Sequence, residues 1–270
     1  MFEPNTIVGR HYRIVSQLGS GGMSQVYKAV DVNLGREVAL KFLHPESVGE
    51  KDLVQRFLNE GRILATIKHR AVIDVYASDT DEATNAPFLV MELVDGLTLE
   101  AAEHTLRGDL PRLLQLFIEL LEGIHACHQK GIIHRDLKPA NVLINRSGQL
   151  KIVDFGVAKT ARKVTRTGVT LGTPHYMAPE QCLGKADITA AADIYSIGIM
   201  FWEMLAGKVP FDIDSGATDP ALSIALKHLN EPVPIDRIND DPRTAPFAEL
   251  LHKMLAKKPE DRPTVPDIIE

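Results

Sequence analysis

Three groups of residues have types and spacings that could do chemistry. The densest is His134-Arg135-Asp136-Leu137-Lys138-Pro139-Ala140-Asn141, followed by Asp154-Phe155-Gly156. It puts a carboxylate, an ammonium, a carboxamide and a second carboxylate within a short stretch, punctuated by Pro and Gly that hold them on loops. Such a set can accept a hydroxyl proton, neutralise a transferring phosphoryl group and hold magnesium through oxygen ligands. The second group is Leu18-Gly19-Ser20-Gly21-Gly22-Met23-Ser24-Gln25-Val26-Tyr27. Its glycines carry no Cβ, so backbone amides can approach an anion closely, which suits a phosphate cover; a glycine-rich hairpin without a ligand is the plainer alternative. The third is Lys41, in Val38-Ala39-Leu40-Lys41, together with Glu60. A lysine among apolar strand residues either snorkels at an edge or is held as a cation in a cleft. Glu60 shares the apolar stripe of a helix, where a carboxylate is costly unless it meets a cation. An ion pair between the two would aim the ammonium at phosphates.

These groups need a scaffold, and the hydrophobic pattern changes near residue 95. Before it, alternating β-branched segments at 11–18, 25–30, 37–42, 72–77 and 88–93 predict an antiparallel sheet of about five strands. One amphipathic helix, residues 51–68, interrupts them, with Leu53, Phe57, Leu64 and Ile67 at helical spacing. After residue 95 helices dominate: a long buried one opened by Asp109 and Pro111, another over about 189–206 closed by Gly207 and Pro210, and a third over 247–255. Residues 212–245, rich in Asp, Pro and Asn, read mostly as loop with one short helix. The fold class is α+β.

Composition narrows the function. The 270 residues hold 44% hydrophobic and 24% charged residues, which excludes a disordered tail or a fibre. Thirty Lys and Arg against 36 Asp and Glu give a net charge of −6, which argues against a nucleic-acid partner. Two cysteines, Cys127 and Cys182, make neither a disulfide framework nor a four-thiolate zinc site, and a reducing compartment is the simpler reading. The most apolar stretch, 194–206, carries Glu203 and is too short to span a bilayer, and the N-terminus lacks the apolar core of a signal peptide. A cytoplasmic chain without membrane contact is expected. His125, Cys127 and His128 lie close together, but packing and capping account for them better than a metal site does. His134 reads as a packing residue, Asp79, Asp81 and Glu82 as a solvated turn, and Asp240 and Asp241 as loop.

With these strings in place, the chain resembles the bacterial eukaryotic-like serine/threonine protein kinases. Ala178-Pro179-Glu180 closes the segment that Asp154 opens, Arg262 matches the arginine that pairs with that glutamate, and Asp193 matches the helix-borne aspartate that anchors the catalytic loop. Lys138 and Gly172-Thr173-Pro174 are similar to the serine/threonine branch. The resemblance implies a bilobal kinase domain over residues 11–270, with a β-rich N-lobe of about 1–93, a mostly helical C-lobe of about 96–270 and an activation segment at 154–180. It further implies that Asp136 takes the substrate proton, Lys138 stabilises the transferring phosphoryl, and Asn141 and Asp154 bind Mg2+ or Mn2+. Lys41, fixed by Glu60, would hold the α and β phosphates of ATP. Leu18, Val26 and Ala39 would cover the adenine and Leu143 underlie it; Met91 would border the pocket near a hinge at 92–95, and the backbone of Glu92 and Val94 would bond the base. Gly19, Ser20, Gly21 and Gly22 would cover the phosphates.

Ser24 stands where the family usually has its third glycine, and Gly61 interrupts the helix of Glu60 at a cost of about 1 kcal/mol relative to alanine, predicting an easily displaced helix. Residues 159–166 carry four cations and no acid. The plain reading is a solvated basic loop; the functional one adds Arg135 as a dock for phosphate on Thr165 and Thr167, modified in trans within a transient homodimer. Thr173 is expected to bond Asp136 and Lys138 from the peptide lip. The rival function is a pseudokinase, a nucleotide-binding scaffold or sensor, but all five groups whose loss would mark one are present: Lys41, Glu60, Asp136, Asn141 and Asp154. The helix after Arg262 is barely begun at Glu270, which suggests a catalytic part of a longer protein whose C-terminal region holds a membrane anchor and sensor.

Overall fold

The computed structural model describes residues 2–21, 24–155, 174–213 and 217–270. The chain divides into two units, Met1–Asp95 and Gly96–Glu270. The first is built on a six-stranded antiparallel sheet of β1 (Ile7–Val8), β2 (Tyr12–Ser20), β3 (Ser24–Asp31), β4 (Arg36–Leu43), β5 (Val75–Thr80) and β6 (Pro87–Met91), in the order β1-β2-β3-β4-β6-β5. The two-residue β1 adds a strand to the five expected. The strand expected at 72–77 begins later, at Val75.

Alternation gives this sheet two apolar faces. Tyr27, Ala29, Val38, Leu40, Phe42, Phe88 and Val90 form a buried cluster with Tyr12 and Ile14, and Phe2 packs against it. The helix α1 (Lys51–Leu64) buries Leu53, Phe57, Gly61 and Leu64. Gly61 has a packing reason to be glycine, because a Cβ there would lie 2.4 Å from Leu89 Cδ2. Leu89 is itself only 2% exposed, so it has little room to retreat. The residue that looked like a weak point in the helix is one where helix and sheet approach too closely for a side chain. Gly61→Ala is therefore expected to lower the thermal midpoint: overpacking costs about 1–3 kcal/mol, more than the roughly 1 kcal/mol gained in helix propensity. A raised midpoint would contradict this packing account.

The second unit carries a small antiparallel sheet that the sequence reading missed, β7 (Gly96–Thr98), β8 (Val142–Asn145) and β9 (Leu150–Ile152), in the order β7-β8-β9. It also missed α2 (Leu99–Leu106), whose Thr98 hydroxyl caps the Ala101 N–H at 3.1 Å. The long helix expected after Asp109 is α3 (Leu110–His128), with the Asp109 carboxylate accepting from Arg112 N. α4 (Pro179–Cys182) is a single turn. α5 (Ala191–Ala206) is buried almost all round, with Tyr195, Ile197, Ile199, Met200 and Trp202 wholly inaccessible, so it is the core of the unit. It ends at Gly207, whose φ of 80° is the left-handed cap that glycine accepts without strain.

Residues 212–245 are more helical than expected. α6 (Pro220–Asn230) and α7 (Asp236–Asn239) lie there, followed by α8 (Ala248–Met254) and α9 (Val265–Ile269). The start of α6 uses the same signal as α3, an Asp219 cap on Leu222 N followed by Pro220 in the first turn. Asp81 also departs from the solvated-turn reading. It is 4% exposed and accepts from both the amide and the hydroxyl of Thr84, while Glu82 pairs with Arg10. No helix among the described residues is long and apolar enough to cross a membrane.

Candidate active site

The connection from α3 to β8 carries the densest chemistry, and one aspartate holds it. Asp193, in the first turn of α5 and 1% exposed, accepts from Arg135 N through Oδ1 at 2.9 Å. Its Oδ2 accepts from His134 N and from His128 Nε2, both at 2.8 Å. Two consecutive amides are thereby turned to one side of the chain, which requires the left-handed backbone seen at Arg135, φ 64°.

His134 then links the two acidic positions. Its ring is fully buried, and burial pushes its pKa below the usual histidine range, so it is a neutral imidazole. Nε2–H donates to the Val153 carbonyl at 3.0 Å, and Nδ1 accepts from Asp136 N at 3.3 Å. The ring lies 4.5 Å from that of Phe155. A packing role was legible for His134; its tie between the backbone of Asp136 and the residue before Asp154 was not.

Asn141 is 4% exposed and donates Nδ2 to both the carbonyl oxygen (2.8 Å) and the Oδ2 (3.1 Å) of Asp136. Lys138 Nζ stands 3.7 Å from the same carboxylate. Asp136, Lys138 and Asn141 are therefore brought together as the sequence suggests. Asn141 O accepts from Val153 N at 3.0 Å, extending the β8–β9 ladder and setting Asn141 beside the chain that leads into Asp154. Asp154 is exposed and, with φ 59°, also left-handed. With the Asn141 amide nitrogen committed to Asp136, what Asn141 and Asp154 have to offer a ligand is oxygen, the donor type that suits Mg2+ better than a soft metal. Leu143, on β8, is half-buried.

In the first unit, β3–β4 pairing sets Val26 opposite Lys41, and β4–β6 pairing sets Ala39 opposite Met91 and Lys41 opposite Leu89. Val26, Ala39, Lys41 and Met91 therefore share one face of the sheet. Lys41 is 8% exposed and Met91 9%, whereas Leu18 is 51% exposed beside a bulge in β2. Glu60, on α1, has its Oε2 fully inside the protein. Glu92 donates its N–H to Asp74 O at 2.9 Å, and Val94 is half-buried. Gly19, Ser20 and Gly21 are exposed at the β2–β3 turn. Gly22, Gly172, Thr173, Thr165, Thr167 and the four cations of 159–166 lie outside the described residues.

Beyond the catalytic loop, Glu180 and Arg262 form a bidentate ion pair at 2.7 and 2.8 Å, 3% and 0% exposed in their side chains. The remaining Arg262 N–H groups donate to the carbonyls of Ala256, Ala191 and Lys257, and the guanidinium lies over the Tyr195 ring. Gln181 was missed by the sequence reading. Its Nε2 donates to the Arg135 carbonyl at 2.8 Å while its Oε1 accepts from Ala178 N, so α4 is hooked to the catalytic loop. Ser196 Oγ likewise donates to Tyr176 O. Position next to Ala-Pro-Glu was the only available signal for Gln181; an ordinary polar side chain has no other mark.

His125, Cys127 and His128 belong to structure. His128 serves Asp193, His125 contacts Gln129, and Cys127 is wholly buried, its thiol pushed up to about 12 by burial.

A carboxylate flanked by a lysine and a carboxamide, with a second carboxylate one hairpin away, is a set of groups that can serve phosphoryl transfer. Residues 12–270 match the protein kinase domain family, and the chain belongs to it. It is 40% identical over 96% of its length to a probable serine/threonine-protein kinase, pknA2, of Bifidobacterium longum, covering 34% of that protein. It is 40% identical over 85% of its length to the serine/threonine-protein kinase PknA of Mycobacterium tuberculosis, covering 53% of it. The chain thus spans about a third to a half of the length of these relatives. The kinase domain of M. tuberculosis PknI shares the fold, with a TM-score of 0.71 at 24% identity over 99% of this chain and 97% of that one. The chain is thus a protein kinase domain similar to those of bacterial serine/threonine-protein kinases, a family that in general uses ATP and a divalent cation.

Proposed function

We propose that Asp136 orients the substrate hydroxyl and accepts its proton while Lys138 stabilises the phosphoryl group in transit. The observation that carries this is the double hydrogen bond from Asn141 Nδ2 to Asp136, with Lys138 beside the same carboxylate, which fixes the base before substrate arrives. Asn141 and Asp154 would hold Mg2+, or Mn2+ in its place; the bound ion supplies charge neutralisation on the phosphates. Lys41, with Glu60 as its partner, binds the α and β phosphates. Gly19, Ser20, Gly21 and Gly22 cover them with backbone amides. Leu18, Val26, Ala39, Met91 and Leu143 contact the adenine, and the backbone of Glu92 and Val94 bonds its edge. The domain runs from 11 to 270, with an N-lobe of about 1–93, a C-lobe of about 96–270 and an activation segment at 154–180.

Regulation follows from Arg135. Its Nε is buried without a hydrogen-bond partner among the described residues, which suits a group that waits for an anion. Phosphate on Thr165 and Thr167, added in trans within a transient homodimer, would meet it, and Thr173 would steady Asp136 and Lys138. The domain works in the cytoplasm.

The test has two readouts. Asp154→Asn is expected to raise the Mg2+ concentration needed for half-maximal phosphate transfer at least tenfold; an unchanged requirement would remove Asp154 from the metal site. Mass spectrometry after incubation with Mg-ATP should find phosphate on Thr165 and Thr167, and a fully active enzyme unmodified at both would refute the regulatory role.

A further inference from the structure

On β3 and β4, side chains alternate between the two faces of the sheet, so Gln25, Tyr27 and Phe42 lie on the face opposite Val26 and Lys41. A directed chain of hydrogen bonds runs along that hidden face to the glycine-rich turn. Phe2 N–H donates to Tyr27 Oη at 3.3 Å, and Tyr27 O–H donates to Gln25 Oε1 at 2.5 Å. Gln25 Nε2 donates to His44 Nδ1 at 3.1 Å, and His44 Nε2 donates to the Gly21 carbonyl at 2.7 Å.

Each role is dictated by its neighbour. The Tyr27 hydroxyl orients the Gln25 carboxamide; the carboxamide makes Nδ1 of His44 an acceptor, and the ring proton must then sit on Nε2, where only a carbonyl can receive it. The far end is anchored, because the Phe2 ring packs against Phe42 at 4.7 Å and edge-on to Tyr27 at 5.6 Å. Gly21 N–H is already used, donating to Ser24 O at 2.8 Å, so the His44 bond fixes the remaining polar backbone group of that residue.

We propose that His44 is a positioning residue for ATP, holding the glycine-rich turn at the height at which its amides can meet the phosphates. This rests on the reading of that turn as the phosphate cover. A glycine-rich segment has more conformational freedom to lose on binding than any other, and restraining it beforehand lowers the cost of ordering it around a ligand.

The experiment compares steady-state kinetics of the wild type with His44→Ala, His44→Gln, Tyr27→Phe and Gly19→Val. His44→Ala should raise the KM for ATP about three- to tenfold, the range expected for one net hydrogen bond, with kcat at saturating ATP and the KM for peptide each changed less than twofold. His44→Gln, whose carboxamide offers both an N–H for Gly21 and an oxygen for Gln25, should recover most of the loss. Tyr27→Phe, which keeps the core shape and removes only the hydroxyl, should raise the KM for ATP by a smaller factor. A Cβ at Gly19 meets no atom within 4 Å among the described residues, so Gly19→Val obstructs an incoming ligand rather than the fold. If Gly19→Val raises the KM for ATP and His44→Ala does not, the His44 inference fails and the phosphate-cover reading stands. If neither does, both fail. Equal loss in His44→Ala and His44→Gln, with kcat falling alongside, would reduce His44 to a structural residue and overturn the proposal.

Discussion

Glu180→Ala is expected to destabilise the helical unit by about 3–5 kcal/mol, the cost of stripping one partner from a buried ion pair. The environment explains why the effect should sit at the upper end of what single substitutions do. The Arg262 side chain is wholly inaccessible and every N–H of its guanidinium is committed, two to Glu180 and the others to Ala256, Ala191 and Lys257. Removing the carboxylate leaves a cation that no water can reach. Lys257 worsens the imbalance, since its amine is half-buried nearby and already pushed down to about 8 by burial and then by Arg262. The double variant Glu180→Ala with Arg262→Met should lose less than the sum of the two single variants, because the unpaired charge goes with its partner. It should not return to wild type, because three backbone carbonyls lose their donor. Urea unfolding checks this through the midpoint at unchanged slope. A loss below 1 kcal/mol for Glu180→Ala would show that the site admits water.

The polar groups with fixed spacing were the legible part of the site. Asp136, Lys138 and Asn141 lie on one short loop, so their proximity followed from chain length alone, and Asp193 and Arg262 could be named because motifs carried them. What stayed hidden were contacts made by side chains to which no motif gives a role. Gln181 follows Ala178-Pro179-Glu180, but that string does not announce a bond reaching back 46 positions to the Arg135 carbonyl. His44 is similar, since its partners Gln25 and Gly21 lie on another strand and a turn.

In the fold, strong periodicity was read correctly over α3 and α5, whose apolar faces are wide. The region of α6 is more helical than the one short helix expected from surroundings in which Asp, Pro and Asn dominate, although Asp219 and Pro220 mark the start of α6 as Asp109 and Pro111 mark that of α3. β7, β8 and β9 are three or four residues long, too short for alternation to register. Gly61 shows what propensity leaves out. Intrinsic propensity counts only the helix, whereas the 2.4 Å approach to Leu89 belongs to the sheet it packs on.

The central claim is that Asp136 is the catalytic base of a serine/threonine kinase, held by Asn141 and by the amides that Asp193 orients. Asn in its place is nearly isosteric, so the loop should keep its shape through Asp193, but a carboxamide cannot accept a proton at neutral pH. General-base catalysis contributes about 10²- to 10⁴-fold, and the loss should fall in kcat with the KM for ATP little changed. Transfer of radiolabelled phosphate from ATP to a protein substrate, wild type against Asp136→Asn with Mg2+ present, measures this directly. The account predicts robust labelling of serine or threonine by the wild type and a drop of at least a hundredfold in the variant. Equal labelling by the two would contradict the role given to Asp136, and no labelling by a folded wild type that binds ATP would make the domain a nucleotide-binding scaffold instead.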